Sequence, residues 1–314
     1  MKKEPKILLL GKCGQVGREL DISLRSLAEV VALDHSELEL CKPQDVRQVI
    51  RAVQPSIIVN AAAYTAVDLA ESEEAMARAI NTDAPTVMAE EAKVVGAVLV
   101  HYSTDYVFDG TKRTPYVEDD SPNPQSVYGA TKLAGEQGIQ QSGAAYLIFR
   151  TAWVYGRRGK NFLLTILRLA AQREELRVVD DQIGSPTYAR EIAAGTTRII
   201  KGLLSQGRSA GALSSVAGIY HMTAAGQATW HEFAEAILKE ASQSLESSWM
   251  GEATGHRCLT AHRVVPIKTA EYPTPARRPA YSVLSNRRLV HVFGEQLPDW
   301  RLQLHSAFLG DSVS

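Results

Sequence analysis

Short apolar runs alternate with stretches of helical apolar spacing in the first half of the chain. Residues 7–10, 30–33 and 57–59 are continuous apolar runs, as expected of strands buried on both faces of a parallel sheet. Between them, apolar side chains recur at helical spacing over residues 16–27 and 46–53. A helix around residues 87–95 and strands at residues 97–102 and 146–150 continue the alternation. This order predicts an α/β fold with a doubly wound, Rossmann-like parallel sheet, which binds ligands beyond the carboxyl ends of its strands.

The alternation becomes less regular in the second half of the chain. The pattern there predicts helices at residues 161–173 and 189–204. Between and after them it predicts a polar turn at residues 177–187 and a Gly/Ser-rich surface loop at residues 205–218.

This change of pattern predicts two domains. We expect residues 1–155 to form a dinucleotide-binding domain that also receives some later segments, about residues 185–225. Residues 156–314 are expected to form mainly a smaller C-terminal α/β part that binds the substrate.

Two later stretches carry aromatic or cationic residues that need an interpretation. Residues 229–232 form a capping box that opens a helix, so we interpret Trp230 and His231 as structural. A proline- and arginine-rich stretch follows, in which Arg277 and Arg278 are either solvated or directed at a substrate phosphate.

The composition excludes several classes of function. With 34 basic and 35 acidic side chains among 314 residues, the chain offers no strong field for nucleic acid or an anionic membrane. No apolar run approaches the roughly 18 residues that a membrane span needs. Cys13, Cys41 and Cys258 are few and widely spaced, which favours a reducing, cytoplasmic location without a disulfide or zinc site.

The glycines of residues 11–17 lie between a predicted strand and a predicted helix. Glycines in that position allow a tight turn, and they let backbone N–H groups approach a pyrophosphate at the helix N-terminus. Asp34, at the end of the second strand, is placed to accept hydrogen bonds from ribose hydroxyls, which favours NADH. The neighbouring His35 and Arg18 can accommodate a 2′-phosphate, so NADPH stays open.

Tyr128 and Lys132 are spaced so that they share one face of a helix. A lysine cation favours the phenolate and lowers the pKa of a nearby phenol, which suits proton transfer. Thr104, at the end of the fourth predicted strand, can hydrogen-bond a substrate oxygen beside Tyr128. The alternatives are a surface Tyr with a solvated Lys, and a capping or turn role for residues 103–105.

Several motifs together resemble those of extended short-chain dehydrogenases, and more narrowly those of the dTDP-4-dehydrorhamnose reductase family. The motifs lie at residues 11–17, 60–68, 103–110, 128–132, 149–155, 181–187 and 278–282, and span nearly the whole chain. The resemblance implies NADPH- or NADH-dependent reduction of the C4 keto group of dTDP-4-dehydro-L-rhamnose, the last step of dTDP-L-rhamnose synthesis. The implied partner is therefore a small sugar-nucleotide substrate.

The resemblance also implies a role for individual residues. Tyr128 would donate a proton to the C4 oxygen, Lys132 would lower the pKa of Tyr128 and hold the nicotinamide ribose, and Thr104 would orient the carbonyl. The implied cofactor contacts are Gly11, Gly14, Gln15, Val16, Gly17, Asp34, Glu39, Leu40, Ala61, Ala62, Ala63, Tyr64, Ser103, Tyr128 and Lys132. The implied substrate contacts are Thr65, Val67, Thr104, Asp105, Tyr106, Trp153, Gln182 and Arg278.

Some members of the family are magnesium-bridged dimers that use glutamates. Glu19 and Glu191 stand at matching positions, but a third position near the C-terminus is Arg301. Two glutamates make a poor site for a hard cation, so we expect no bound metal, and a monomer and a homodimer both stay open.

Two other functions remain as alternatives. One is another sugar-nucleotide reductase, epimerase or dehydratase on the same fold; the dehydratases carry a Glu where this chain has Tyr106 after Asp105. The other is a non-catalytic, cofactor-binding regulatory subunit like that of methionine adenosyltransferase. The intact Thr104, Tyr128 and Lys132 favour an enzyme over a regulatory subunit, because a binding module needs no proton donor.

Overall fold

The computed structural model describes residues 5–205, 216–243 and 248–309. Within these ranges no helix combines the length and apolarity required to cross a membrane. The strands are, in chain order, β1 (Lys6–Leu10), β2 (Glu29–Leu33), β3 (Ile57–Asn60), β4 (Val98–Thr104), β5 (Ala145–Thr151), β6 (Val154–Tyr155), β7 (Glu175–Val179), β8 (Ile183–Gly184), β9 (Thr187–Tyr188), β10 (Gly218–His221), β11 (Ala228–Thr229) and β12 (Arg263–Ile267).

The α-helices alternate with these strands in the first half of the chain and dominate the second half. They are α1 (Gln15–Leu24), α2 (Pro43–Val53), α3 (Val67–Ala70), α4 (Glu74–Arg78), α5 (Ala84–Val95), α6 (Val127–Ser142), α7 (Phe162–Ala170), α8 (Ala189–Ser205), α9 (Trp230–Gln243), α10 (Ser248–Thr254), α11 (Arg287–Phe293) and α12 (Trp300–Phe308). A π-helical turn (Ala79–Asp83) joins α4 to α5, and a 3₁₀ turn (Asp105–Val107) follows β4.

A six-stranded sheet in the order β10-β5-β4-β3-β1-β2 forms the centre of the molecule. Each neighbouring pair in this sheet is parallel. Side chains alternate between the two faces of each strand, so Ile7 and Leu9 join one apolar core while Leu8 and Leu10 join the other. The predicted doubly wound, Rossmann-like sheet is confirmed.

The two cores are closed by helices on opposite faces of the sheet. Leu20 of α1 and Ile192 of α8 pack on one face. Ile50 of α2 and Met88 of α5 pack on the other face, with Ile139 of α6. Both faces of every central strand are therefore buried, which explains the continuous apolar runs in the sequence.

A third core lies among the later helices. It is built around Tyr155, Leu167, Phe233 and Trp300, which come from β6, α7, α9 and α12. The short pair β7 and β12 lies beside it. Because α8 packs on α1 and β10 extends the central sheet, residues 189–205 and 218–221 belong with the first part of the molecule. The division into domains at residue 155 stays a prediction.

The polar turn that the sequence predicts at residues 177–187 is wrong in its first part. Residues up to Val179 belong to β7, in which Leu176 and Val178 are buried and Arg177 is exposed. This alternation of buried and exposed side chains extends over only a few residues, and β12, the parallel partner of β7, is about ninety residues away in the sequence. The local pattern was therefore too short to distinguish a strand from a turn. Most of the surface loop predicted at residues 205–218 lies outside the described residues.

The predicted capping box at the start of α9 is confirmed. Thr229 N donates to Glu232 Oε2 at 2.8 Å, and Glu232 N donates to Thr229 Oγ1 at 3.1 Å. The two orphan N–H groups at this helix start therefore have side-chain acceptors.

A buried ion pair ties α6 to β5 behind the edge of the sheet. Arg150 donates to Glu136 through two nitrogens at 2.9 and 2.6 Å, and both side chains are at most 2% exposed. The Arg150 guanidinium also lies over the ring of Phe108, 5.1 Å from its centroid. Two desolvated charges are tolerated here because each has its partner in bidentate geometry.

We expect Glu136→Gln to lower the free energy of unfolding by about 3–5 kcal/mol, because it leaves the buried Arg150 charge without a counter-ion. Urea unfolding of the variant and the wild type measures this difference. Glu74→Gln is the matched control, because Glu74 pairs with Arg78 at an exposed helix surface. The control should change stability by no more than about 0.5 kcal/mol. Equal effects of the two substitutions would contradict the assigned role of the buried pair.

Candidate active site

The carboxyl ends of the central strands open into one cavity of about 840 Å³. Because the strands are parallel, the residues that follow β1, β3, β4 and β5 reach the same edge of the sheet. Gly11, Ala61, Asp105 and Trp153 all line the cavity, one from each of these connections. The fold thus gathers the predicted site residues from sequence positions that are far apart.

The glycine-rich loop passes from β1 into α1 along this cavity. Gly11 has φ +86°, and Gly14 N donates to Gly11 O at 2.9 Å. A Cβ atom at Gly17 would lie 2.0 Å from Gly11 O, so only glycine allows the helix to pack this closely on the loop. The loop therefore presents the start of α1 to the cavity, where backbone N–H groups suit a pyrophosphate.

Asp34 lies directly after β2 and is held as a carboxylate. Its Oδ2 accepts from Cys13 Sγ at 3.0 Å, and its Oδ1 accepts from Ser36 N and Oγ at 2.8 and 2.7 Å. The hydrogen bonds from Cys13 and Ser36 lower the pKa of Asp34 well below its ordinary range. An ionised carboxylate at this position accepts hydrogen bonds from hydroxyl groups and repels a phosphate.

Tyr128 lies in the first turn of α6, where Ser126 is the N-cap and accepts from Gly129 N at 3.2 Å. Burial raises the pKa of Tyr128 to about 12, and a hydrogen bond with the Thr104 side chain works in the opposite direction. The ring of Tyr106 meets the ring of Tyr128 edge to face, with centroids 5.5 Å apart. Tyr128 is therefore a protonated phenol at neutral pH.

Lys132 lies one helical turn beyond Tyr128 and is almost fully buried. Its Nζ donates to Tyr102 O at 2.6 Å and lies 3.0 Å from His101 Nε2. Burial lowers the pKa of Lys132 to about 8, while the charge of Glu136 raises it. The net effect on Tyr128 is a raised pKa, because burial is the largest cause; the expected lowering of this pKa by Lys132 stays a prediction.

Thr104 and Asp105 form the turn that follows β4. Thr104 Oγ1 accepts from Tyr106 N at 3.1 Å and donates to Asp105 Oδ1 at 3.0 Å, so it caps the 3₁₀ turn. Burial raises the pKa of Asp105 to about 6. The capping role that the sequence left as an alternative is present, and the same hydroxyl is hydrogen-bonded to Tyr128.

Two buried hydroxyls in this cavity have no partner among the residues of the structure. These are Ser103 Oγ and Thr151 Oγ1, at the ends of neighbouring strands β4 and β5. A buried polar atom without a hydrogen bond is costly, so these groups fit a ligand that carries its own polar atoms. Together with the glycine-rich loop and Asp34, they fit a bound nicotinamide dinucleotide.

Most of the residues that the sequence predicts for the site line this cavity. Those lining it are Gly11, Gly14, Gln15, Val16, Asp34, Glu39, Leu40, Ala61, Ala62, Ala63, Thr65, Val67, Ser103, Thr104, Asp105, Tyr106, Tyr128, Lys132 and Trp153. Four do not line it: Gly17, Tyr64, Gln182 and Arg278. Gly17 shapes the loop from behind, and Tyr64 donates from its hydroxyl to Glu73 Oε2 at 2.5 Å.

Gln182 lies behind Trp153 rather than in the cavity. The indole of Trp230 stacks on that of Trp153, with centroids 3.4 Å apart and planes inclined by 2°. Trp230 Nε1 then donates to Gln182 Oε1 at 3.2 Å, and Gln182 Nε2 donates to Thr269 Oγ1 at 3.0 Å. Gln182 and Trp230 thus position the indole of Trp153, which is itself held at φ +47°.

Arg278 forms a bidentate salt bridge with Asp68. Its two terminal nitrogens lie 3.1 and 2.9 Å from the two carboxylate oxygens, and this pairing lowers the pKa of Asp68. The contact of Arg278 with the substrate stays a prediction, and it would require the guanidinium to keep or exchange this partner. The guanidinium already has a bidentate partner that lies more than two hundred residues earlier in the sequence.

Sequence reasoning missed several residues of the cavity. They include Cys13, Met76, Ile80, Tyr102, Thr151 and Lys160. Cys13 stands beside predicted residues, so proximity in the sequence was an available signal. Met76 and Ile80 lie on α4 and the π-helical turn, for which no element was predicted, and Lys160 belongs to a loop.

Glu19 and Glu191 lie on the neighbouring helices α1 and α8. Within the described ranges, His, Cys, Asp and Glu side chains form no group of three or more that could hold a metal. The guanidinium of Arg301 lies over the ring of Trp300, 4.3 Å from its centroid. The structure therefore adds no third carboxylate to the two glutamates.

The Rossmann-like sheet with a Tyr-x-x-x-Lys pair at its carboxyl edge defines an NAD(P)H-dependent oxidoreductase of the extended short-chain dehydrogenase class. A family model described as the RmlD substrate binding domain matches residues 5–311. The chain therefore belongs to this family.

Relatives and solved structures agree with this assignment. A dTDP-4-dehydrorhamnose reductase of Burkholderia thailandensis is 50% identical over 296 residues, which cover 94% of this chain and 95% of that protein. The crystal structure of a dTDP-4-dehydrorhamnose reductase from Clostridium acetobutylicum superposes with a TM-score of 0.83 at 35% identity, covering 96% of this chain and 98% of that one. The Bacillus anthracis dTDP-4-dehydrorhamnose reductase in complex with NADP also gives 0.83, at 34% identity over 98% of this chain and 99% of that one. The family resemblance read from the sequence is confirmed.

The raised pKa of Asp105 predicts a pH-dependent cost of keeping its carboxylate buried. As pH rises from the ordinary value of 3.8 through about 6, the unfolded chain loses this proton before the folded chain does, so wild-type stability falls. Asp105→Asn lacks this titration, so its stability relative to wild type should rise by roughly 2–3 kcal/mol between pH 3.5 and 7.5. Urea unfolding at several pH values measures the difference. A stability difference between Asp105→Asn and wild type that does not change with pH would contradict the prediction. Asp83→Asn, at an exposed position, is the control.

Proposed function

We propose that this protein reduces the C4 keto group of dTDP-4-dehydro-L-rhamnose to give dTDP-L-rhamnose, with NADPH or NADH as the reductant. The proposal follows the name of the half-identical Burkholderia relative and of both solved structures. The observation that carries it is the placement of Thr104, Tyr128 and Lys132 together in the cavity that the glycine-rich loop and Asp34 also line.

Tyr128 acts as the proton donor in this proposal. A keto oxygen that gains negative charge during reduction needs a proton, and a phenol whose pKa is raised to about 12 is fully protonated before the reaction. Thr104 orients the carbonyl through its hydroxyl, which lies beside the phenol. The reduced nicotinamide, when bound, supplies the hydride.

The other predicted residues bind and orient the two ligands. Lys132 holds the nicotinamide ribose, and the glycine-rich loop at residues 11–17 holds the pyrophosphate. Asp34 accepts hydrogen bonds from the adenosine ribose. Trp153, held by the stacked ring of Trp230, forms a flat wall of the cavity for the sugar nucleotide.

The two ligands are assigned to different parts of the chain. Residues 1–155 bind the cofactor, together with the later part of the chain that the sequence assigns to the same domain, about residues 185–225. Residues 156–314 contribute mainly to binding of the sugar nucleotide. Trp153, which lines the cavity, is close in sequence to the boundary between the two parts.

We expect Tyr128→Phe to reduce kcat by about 10²-fold or more, since it removes the proton donor while keeping the ring. The dissociation constant of the cofactor should stay within about twofold of wild type, which fluorescence titration measures. Oxidation of NADPH or NADH on addition of dTDP-4-dehydro-L-rhamnose gives the rate. Tyr272→Phe, at a residue that is 61% exposed, is the matched control and should keep full activity. Full turnover in Tyr128→Phe would show that the proton comes from elsewhere.

The anchored carboxylate of Asp34 predicts a preference for NADH. Asp34→Ser removes a charged acceptor for the ribose hydroxyls. It also removes the repulsion between this carboxylate and a 2′-phosphate. We expect the ratio of kcat/KM for NADPH to that for NADH to rise by about 10-fold or more, as for loss of one charged hydrogen bond. Asp45→Asn, exposed on α2, should leave the ratio unchanged. A ratio that stays constant in Asp34→Ser would show that Asp34 does not face the ribose.

A further inference from the structure

The loop between β6 and α7, residues 156–161, lies against the start of α1. Asn161 Nδ2 donates to Gln15 Oε1 at 2.8 Å, and Gln15 Nε2 donates to Val154 O at 3.4 Å. The contact is close, because a Cβ atom at Gly159 would lie 3.6 Å from Gln15 Cγ. The side chain of Gln15 therefore joins the glycine-rich loop to this second loop.

Asn161 also closes the second loop on itself. It is the N-cap of α7, and its Oδ1 accepts from Leu164 N at 3.1 Å, so its amide nitrogen is free to donate elsewhere. This nitrogen lies 2.8 Å from Gly156 O and 3.1 Å from Arg158 O, in addition to its contact with Gln15. One amide group thus orients the loop relative to both α7 and α1.

The first part of the loop is fixed by Arg157. Its Nε donates to Ala307 O at 2.8 Å, and its Nη2 donates to Ser306 O at 3.3 Å. These carbonyl groups belong to the last turn of α12, where helical acceptors have no N–H partner and a cation is favoured. The residues between Arg157 and Asn161 are therefore held at both ends.

Lys160 belongs to this fixed loop, and it lines the cavity. Its side chain is exposed, and it has no hydrogen bond or ion pair within the part of the chain that the structure describes. Lys132 also lines the cavity, but its Nζ already donates to Tyr102 O at 2.6 Å. Lys160 thus offers the cavity a positive charge that no described carboxylate neutralises.

The charges of the cavity show why a diphosphate needs such a cation. Asp34 and Glu39 both line the cavity, and hydrogen bonds to each carboxylate lower its pKa, so both are negative at neutral pH. The N–H groups at the start of α1 attract a diphosphate, but they supply only a partial positive charge. A full positive charge close to them offsets the repulsion from the two carboxylates.

We propose that Lys160 binds the diphosphate of the nicotinamide dinucleotide together with the start of α1, and that Asn161 is a positioning residue for Lys160. The proposal deepens the proposed function and rests on it for the identity of the ligand. A sugar nucleotide also carries a diphosphate. The cofactor is favoured because the loop of Lys160 is joined to Gln15, the first residue of α1, whose N–H has no acceptor within the helix.

Lys160→Gln removes the charge and keeps a long polar side chain. We expect the Kd of NADH to rise by about fivefold or more, between the effects of losing an exposed ion pair and a charged hydrogen bond. Fluorescence titration without substrate measures it. Lys160→Arg restores the charge and should recover most of the affinity. Lys201→Gln, at an exposed position of α8, is the matched control and should bind NADH as the wild type does. An unchanged Kd in Lys160→Gln would overturn the proposal.

The same variant distinguishes the two sources of a diphosphate. Isothermal titration with dTDP measures binding on the sugar-nucleotide side. We expect Lys160→Gln and the wild type to have equal Kd values for dTDP. A larger effect on the binding of dTDP than on that of NADH would assign Lys160 to the sugar nucleotide and refute the proposal.

Asn161→Ser tests the positioning role. Serine keeps an N-cap oxygen for α7 but lacks the amide that donates to Gln15 Oε1. If Asn161 places Lys160, then Lys160→Gln should raise the Kd of NADH less in the Asn161→Ser background than in the wild type. Additive effects would show that Asn161 does not position this lysine. Because no measurement uses dTDP-4-dehydro-L-rhamnose, a failure of the proposed reduction would be seen separately.

Discussion

The parallel pairing of the central sheet is the constraint on which the rest of the molecule depends. Each crossover must return the chain to the same end of the sheet, so the carboxyl ends of β1, β3, β4 and β5 share one edge. The strands themselves are apolar and buried on both faces. Most of the polar chemistry therefore lies at the carboxyl ends of the strands and in the residues just after them, which places it around one cavity.

One face of α6 connects this cavity to the interior. Tyr128, Lys132 and Glu136 are spaced by four residues and so follow one another along the helix. They carry a phenol at the cavity, an amine behind it and a carboxylate in the core that is paired with Arg150. Gly129 allows the first turn to pack against the turn after β4, since a Cβ atom there would lie 2.2 Å from Tyr106 O. The geometry of the phenol thus depends on packing as much as on the helix.

Much of the cofactor side could be predicted from the sequence, because its signals are local. Gly11, Asp34 and Ala61 each follow a recognisable apolar strand, and they line the cavity as expected. The sugar-nucleotide side was harder. Arg278 meets Asp68, and Trp230 meets Trp153, across long sequence distances that no periodicity reveals. Burial is a further feature that the sequence did not reveal: helical spacing brings Lys132 close to Tyr128, but the tertiary structure buries both groups, and this raises the pKa of the phenol.

The unsatisfied groups of the cavity show where stability and function oppose each other. Ser103 Oγ and Thr151 Oγ1 are buried without a protein partner, and Asp105 is a carboxyl group whose burial disfavours its charged form. A core selected only for stability would replace such groups by apolar ones, because each costs free energy. Elsewhere in the same two strands the buried side chains include Val98, Val100 and Phe149, which obey that rule. The exceptions are concentrated at the strand ends, where a bound ligand with polar atoms can offset their cost.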